Sequence, residues 1–289
     1  MKLSFPFASR LLSTGLRMDC GVPELHLNDA TVRQLLNGTC STMEIGFGKS
    51  RLMRCGLMLV RTNTSLSPTT IEKLLTTLGR AIGRIVPDVD RSLVQSIDLR
   101  DPLVSGSQFA LRSLADDPYR AMPLHTDGAF DKIPPDWVGL AKTHEHQAGG
   151  GETLCLRLDE WDDCERFAVS PYASHPVRWT LPRQTRGFRP RRAESDCSVA
   201  PIFERDCERW RIRFARHCIS QETLAQSADF GDYVNALEQS LISSIRKIEV
   251  RLNIGDMYFV NNRRVLHGRN RFQPHRELSR SVIRVRGQF

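Results

Sequence analysis

The residues best equipped for chemistry are His125 and Asp127, in Leu124-His125-Thr126-Asp127-Gly128, and His267, in Leu266-His267-Gly268-Arg269. Strand side chains alternate with a period of two, so His125 and Asp127 on one strand point to one face. A histidine brought in from a distant strand completes a set of two imidazole nitrogens and one carboxylate oxygen. That is the 2-His-1-carboxylate triad, which holds iron(II) by one face and leaves its other positions open to reactants. His125, Asp127 and His267 are therefore expected to be both the metal ligands and the catalytic centre.

The neighbours of these residues support the same chemistry. Pro123 and Leu124 lead in, Gly128 lets the backbone turn sharply after the carboxylate, and Gly149-Gly150-Gly151-Glu152-Thr153 follows a strand later. Arg280, Arg284 and Arg286 come after His267, and each is able to anchor an anionic co-substrate. Arg284 and Arg286 are two apart, so on one strand they share a face, and guanidinium forks bind carboxylates bidentately. The competing interpretation is a structural barrel with an incidental histidine pair and surface arginines. His144-Glu145-His146 is a second metal-type pattern. Standing before three glycines, it reads as a turn, and no iron is assigned to it.

Such residues need strands to position them. Residues 55–61, 137–141, 153–157, 210–214, 257–260 and 281–286 read as strands. Asn28-Asp29 caps a short helix over 31–36, stopped by Gly38, and Ser67-Pro68 opens a longer one with Ile71, Leu74, Leu75, Leu78, Ala81 and Ile82 at helical spacing. Residues 222–250 are expected to be mainly helical, burying Leu224, Phe230, Val234, Leu237, Leu241 and Ile245 on one face. Many short strands with a few helices point to a mainly β, α+β chain: a double-stranded β-helix, or jelly-roll, barrel with helical additions. The expected organisation is a single domain, with residues 1–50 as an appendage, 51–289 as the barrel, and a lid-like insertion around 180–217.

The chain has 289 residues, 40% hydrophobic and 26% charged, with a net charge of +8 and eight cysteines that form no C-x-x-C pair. Scattered cysteines in a chain of this size read as reduced thiols, and with no apolar run near the ~20 residues of a membrane span the expected home is the cytoplasm. Positive charge favours anionic partners, either nucleic acid or small carboxylates. The arginine-rich stretch 183–192, with Phe188 among its cations, reads as a solvated loop or a pocket lid, with nucleic-acid binding a weaker reading. Gln108 and Arg112 are candidates to face a ligand.

His125-Thr126-Asp127-Gly128-Ala129-Phe130, Gly150-Gly151-Glu152-Thr153, Asp159-Glu160-Trp161, Arg178-Trp179 and the tail from His267 through Arg280 to Phe289 resemble the carbon-starvation-induced protein D family, the glutarate 2-hydroxylases. These are iron(II)/2-oxoglutarate-dependent oxygenases, and the resemblance runs from about residue 120 to the end. It implies Fe(2+), 2-oxoglutarate and O2 as the reacting set. It also implies Arg286 and Thr153 at the distal carboxylate of 2-oxoglutarate, and Arg284 on the substrate. A glutarate-like free acid is the expected substrate, with a free amino acid such as L-lysine as the alternative and a nucleic-acid oxygenase third. The arginine-rich middle departs from the family pattern, with Glu194, Asp196 and Glu204 there as candidate partners for an amine. A homo-oligomer is compatible with this reading.

Overall fold

Ser67 caps the longest expected helix by accepting from Thr70 N–H, Pro68 fills its first turn, and Gly83 ends it, giving α3 (Pro68–Ile82). Its apolar stripe needs a sheet to cover it. A computed structural model describes residues 16–19, 22–63, 65–88, 91–100, 117–181, 197–225 and 227–289 and supplies that sheet. In order across it run β1 (Leu16–Asp19), β2 (Val22–Leu27), β3 (Leu57–Thr62), β14 (Met257–Asn261), β7 (Trp137–His146), β16 (Ser279–Gln288) and β4 (Arg84–Val86), with β5 (Gln95–Arg100) also on β16. All its pairings are antiparallel except β2 on β3.

A smaller antiparallel sheet has the order β13 (Ile248–Val250), β8 (Thr153–Arg157), β15 (Val265–Arg269) and β6 (Met122–His125). Alternation distributes the residues between layers. On the larger sheet, Met58, Val60, Trp137, Met257, Phe259, Ile283 and Val285 pack on the Ile71, Leu74, Leu75 and Leu78 stripe of α3. From its other face, Leu57, Leu59, Val138, Tyr258 and Val260 meet Cys155, Val250 and Val265 of the smaller sheet. The far side of that sheet, through Leu124, Leu156 and Leu266, is covered by Phe230, Val234 and Leu237 of α6 (Ala228–Ser243). Each fully buried side chain of this kind contributes about 1.5–3 kcal/mol.

Several expectations shift. Residues 22–50 are woven into the main core: β2 pairs with β3, and Val32 and Leu35 of α1 (Asp29–Leu36), with Ile45 and Phe47, join the α3 cluster. The strand expected over 55–61 begins later, because α2 (Lys49–Cys55) precedes it and ends at Gly56, whose φ is 75°. Helix α6 stops at Ser243, leaving Ile245 86% exposed, so that Ile248–Val250 can turn back and pair with β8. His144-Glu145-His146 is strand, not turn, because β16 is long enough to pair with it as far as Ser279. The arginine-rich stretch 183–192, Gln108, Arg112, Glu194 and Asp196 lie outside the described residues.

Candidate metal centre

His125 ends β6, and His267 sits directly opposite it on β15, so two adjacent strands present both imidazoles to the interior. Their ring centroids are 4.6 Å apart. Asp127 Oδ1 lies 3.4 Å from the Nε2 atoms of both His125 and His267. The three donor atoms all fall within 4.8 Å of one another, and all three residues are buried. His125 Nδ1 lies 2.9 Å from Pro123 O, which draws the proton to Nδ1 and leaves the Nε2 lone pair for a metal. Two imidazoles and a carboxylate converging in this way fit a divalent iron ion.

Asp127 is past the end of β6, so something other than the ladder must hold it. Asn262 does this from the turn between β14 and β15. Asp127 N–H donates to Asn262 Oδ1 at 2.8 Å, and Asn262 Nδ2 donates to Asp127 O at 3.0 Å and Pro135 O at 2.9 Å. Next in the chain, Gly128 takes φ 66°, and a Cβ there would stand 2.6 Å from Asp131 Oδ2 and 2.7 Å from Pro135 Cδ. Thr126, between the two ligands, points the other way: its N–H donates to Phe214 O at 2.7 Å and its Oγ1 accepts from Phe214 N–H at 3.0 Å. A separate cleft of about 220 Å³ opens on that far side, among Thr126, Ile133, Arg211, Arg213 and Asn262.

The larger sheet faces the triad with cations. On β16, Ile283 and Val285 turn to α3, which gives Arg280, Arg284 and Arg286 the opposite face. Arg284 Nη1 donates to Asp127 Oδ2 at 2.8 Å, and its Nη2 reaches Asp88 Oδ2 at 2.5 Å and Gln95 Oε1. Arg286 donates to Asp131 Oδ2 and to Pro87 O, each at 2.9 Å. Arg280 is buried elsewhere, donating to Gly151 O at 3.1 Å beside the Phe272 ring. The Nε atoms of all three are buried without an acceptor among the described residues. Burial pushes the Asp127 carboxyl upward, but the Arg284 charge and both histidines outweigh it and hold it well below the usual carboxylate range.

Thr153 and Arg286, expected together, have different side-chain partners among the described residues. Beside the Thr153 hydroxyl is the Tyr258 phenol, which in turn feels Arg280, Arg284 and Asp127. Burial keeps this phenol protonated, and it pushes the neighbouring Cys155 thiol up to about 12, so both face the site neutral. Arg269, in the same motif as His267, is saturated by the carbonyls of Asp117, Pro118, Arg120 and Asn270 and holds the chain rather than a ligand. His144 and His146 lie at the sheet end, 2.7 Å from Ser279 Oγ and 3.6 Å from Glu277 respectively. Sequence reasoning missed Tyr258, Asp88, Gln95 and Asp131, and read Asn261-Asn262 as the turn before His267 without giving Asn262 a role. Of the four missed, Tyr258 left a signal, as a phenol in an otherwise apolar run.

With this geometry in place, the comparisons are specific. The CsiD family profile matches residues 109–289, the stretch that supplies all three ligands and the arginine strand. The chain belongs to the CsiD family. A glutarate 2-hydroxylase of Pseudomonas putida strain F1 is 36% identical over 171 residues, 59% of this chain and 49% of that protein. One from Klebsiella pneumoniae strain 342 is 30% identical over 223 residues, 75% of this chain and 62% of that protein. The CsiD-family chain thus spans about half the length of the curated relatives it matches first. Among solved structures, the non-heme iron oxygenase OrfP in complex with Fe and alpha-ketoglutaric acid superposes with a TM-score of 0.63 at 17% identity, covering 92% of this chain and 93% of its own. An asparagine oxygenase in complex with Fe(II), hydroxyasparagine and succinate gives 0.62 at 16%, covering 89% and 79%. At those identities the likeness is one of fold.

Proposed function

We propose that this CsiD-family chain is an iron(II)/2-oxoglutarate-dependent hydroxylase of a small free carboxylic acid, with glutarate as the first candidate. The observation that carries it is the buried His125, Asp127 and His267 triad with Arg284 on Asp127 and two more arginines on the same strand face. The names of the relatives, glutarate 2-hydroxylases, support the acid. The two facing sheets are read as the double-stranded β-helix, residues 22–289 as one domain, and the part of the 180–217 segment that is described as an insertion against it. The cysteines among the described residues are free, which supports a cytoplasmic reading.

Roles follow from chemistry and position. His125, Asp127 and His267 would hold iron(II), which with 2-oxoglutarate and O2 supplies the oxidising power that converts C–H to C–OH, with succinate and carbon dioxide as co-products. For the distal carboxylate of 2-oxoglutarate, Arg280 is preferred to Arg286. It shares its surroundings with Tyr258 and Thr153, whose hydroxyls can donate. Arg286, by contrast, is engaged with Asp131 at the opposite end. Arg284 and Arg286 then serve the substrate, and Arg284 also orients Asp127. Apolar packing between the two sheets keeps water from the reacting carbon.

The test is succinate release by the full chain with iron(II) and 2-oxoglutarate against C5 and C6 diacids, L-lysine and other amino acids, and an oligonucleotide. Glutarate-dependent succinate with a hydroxylated product is expected. Turnover of the oligonucleotide with no response to any small acid would overturn the reading.

A further inference from the structure

If Arg284 and Arg286 hold the acid substrate, as proposed above, their fork must be reachable, yet it is already filled. Asp88 Oδ2 accepts from Arg284 Nη2 at 2.5 Å, and Asp88 Oδ1 lies 3.5 Å from Arg286 Nη2. One carboxylate thereby bridges both guanidiniums, the pose that a substrate carboxylate would adopt. Asp88 is only 8% exposed.

The need for this contact is electrostatic. Two guanidiniums side by side in a buried site repel each other and lose hydration, so the substrate-free protein requires a counter-ion there. Three acids supply the negative charge. Asp127 and Asp131 take the Nη1 atoms of Arg284 and Arg286, each within 2.9 Å, and Asp88 takes Nη2 of both. Asp127 and Asp131 belong to the metal turn, tied through Asp131 N–H to Gly128 O at 2.9 Å, so neither can leave without disturbing the ligands. Asp88 comes from the separate connection between β4 and β5, where its N–H donates to Ser92 O at 2.8 Å and its carbonyl accepts from Arg91 N–H at 2.9 Å. Of the three, it is the one whose departure leaves the triad intact.

We propose that Asp88 is an internal counter-ion that occupies the substrate-carboxylate position in the substrate-free protein and is displaced when the acid binds. The apparent affinity for the acid is then the intrinsic affinity reduced by the fraction of molecules in which Asp88 has vacated. A ligand lacking an ionised carboxylate, such as an ester or amide of the same acid, has nothing with which to evict it.

Thermal-shift titrations decide the matter on the full chain with Mn(II) and 2-oxoglutarate present and oxygen excluded. Asp88→Asn keeps the shape and removes the charge. Its substrate-free Tm should fall, its half-saturating glutarate concentration should drop about tenfold, and its response to 2-oxoglutarate should stay within about twofold of wild type. A glutarate midpoint that is unchanged, raised or absent in the variant overturns the proposal. Should Asp88→Asn fail to fold, amide exchange in the wild type serves instead. Added glutarate should speed exchange over residues 84–88 while slowing it over 280–288, and slowing in both segments means that Asp88 stays in place. Failure of the functional reading is seen separately, as glutarate binding without succinate release when iron(II) and oxygen are supplied.

Discussion

Asp127 answers to four partners: two imidazoles on one oxygen, Arg284 on the other, and Asn262 on its backbone. An ionised carboxylate already aimed at the histidines needs little rearrangement to take a metal. Asp127→Ala and His267→Ala should therefore lose Mn(II) binding in oxygen-free titrations, and all succinate release, while circular dichroism stays native. Normal turnover in either variant would remove the triad from the mechanism. On the proposed assignment, the arginines separate by function on the same strand. Arg280→Leu should raise the KM for 2-oxoglutarate by about thirty- to several-thousand-fold, the loss of about 2–5 kcal/mol when a buried carboxylate loses its charged partner. Arg286→Leu should instead raise the KM for the acid and leave that for 2-oxoglutarate within about threefold. The reverse pattern in steady-state kinetics would return the co-substrate to Arg286.

Strands fix two of the ligands and a turn fixes the third. His125 and His267 inherit their spacing from the β6–β15 ladder, whereas Asp127 lies beyond it and depends on the amide of Asn262 to replace a missing strand neighbour. Asn262 is 2% exposed and also ties down Pro135 O, so it couples the metal turn to the segment entering β7. Removing that amide strands a buried N–H and two carbonyls while leaving every ligand present. Asn262→Ala should weaken Mn(II) binding by about 10–100-fold, the range seen when groups that orient metal ligands are lost. Isothermal titration of the metal-free protein reads this without turnover, and wild-type affinity in a folded variant would reduce Asn262 to a turn former.

The larger sheet takes part in two cores at once, since β3, β14 and β7 place alternate residues against α3 and against the smaller sheet. Layers joined in this way should unfold together, as one transition coincident by near- and far-ultraviolet circular dichroism. Ligands that bind only the folded state add stability by mass action. Mn(II) and 2-oxoglutarate, each at a hundredfold excess over its dissociation constant, should together raise the free energy of unfolding by more than about 2.7 kcal/mol. Asp127→Ala should show no rise with Mn(II), and a rise there would place the metal elsewhere. No described helix is long and apolar enough to cross a membrane, and the charge of +8 is partly turned inward, where Arg269, Arg280 and Arg286 are buried.

What the sequence determined by itself was whatever depends on period and local caps. The alternation that aims His125 with Asp127, the cap and stripe of α3, and the shared face of Arg284 and Arg286 all follow from covalent geometry, which needs no partner to be legible. Tertiary structure decided what depends on who stands opposite. Arg280 has the same parity as Arg284 and Arg286, and only the neighbouring strands put Thr153 and Tyr258 near it and Asp131 near Arg286. His144 and His146 looked like a turn until β16 proved long enough to pair with them. Asp88 carried no signal at all, because a single acid in a connection is ordinary until two arginines nearly two hundred residues away close around it. Period is written in neighbours along the chain, whereas charge pairing is settled by folding, since it depends on distances that the chain order does not contain.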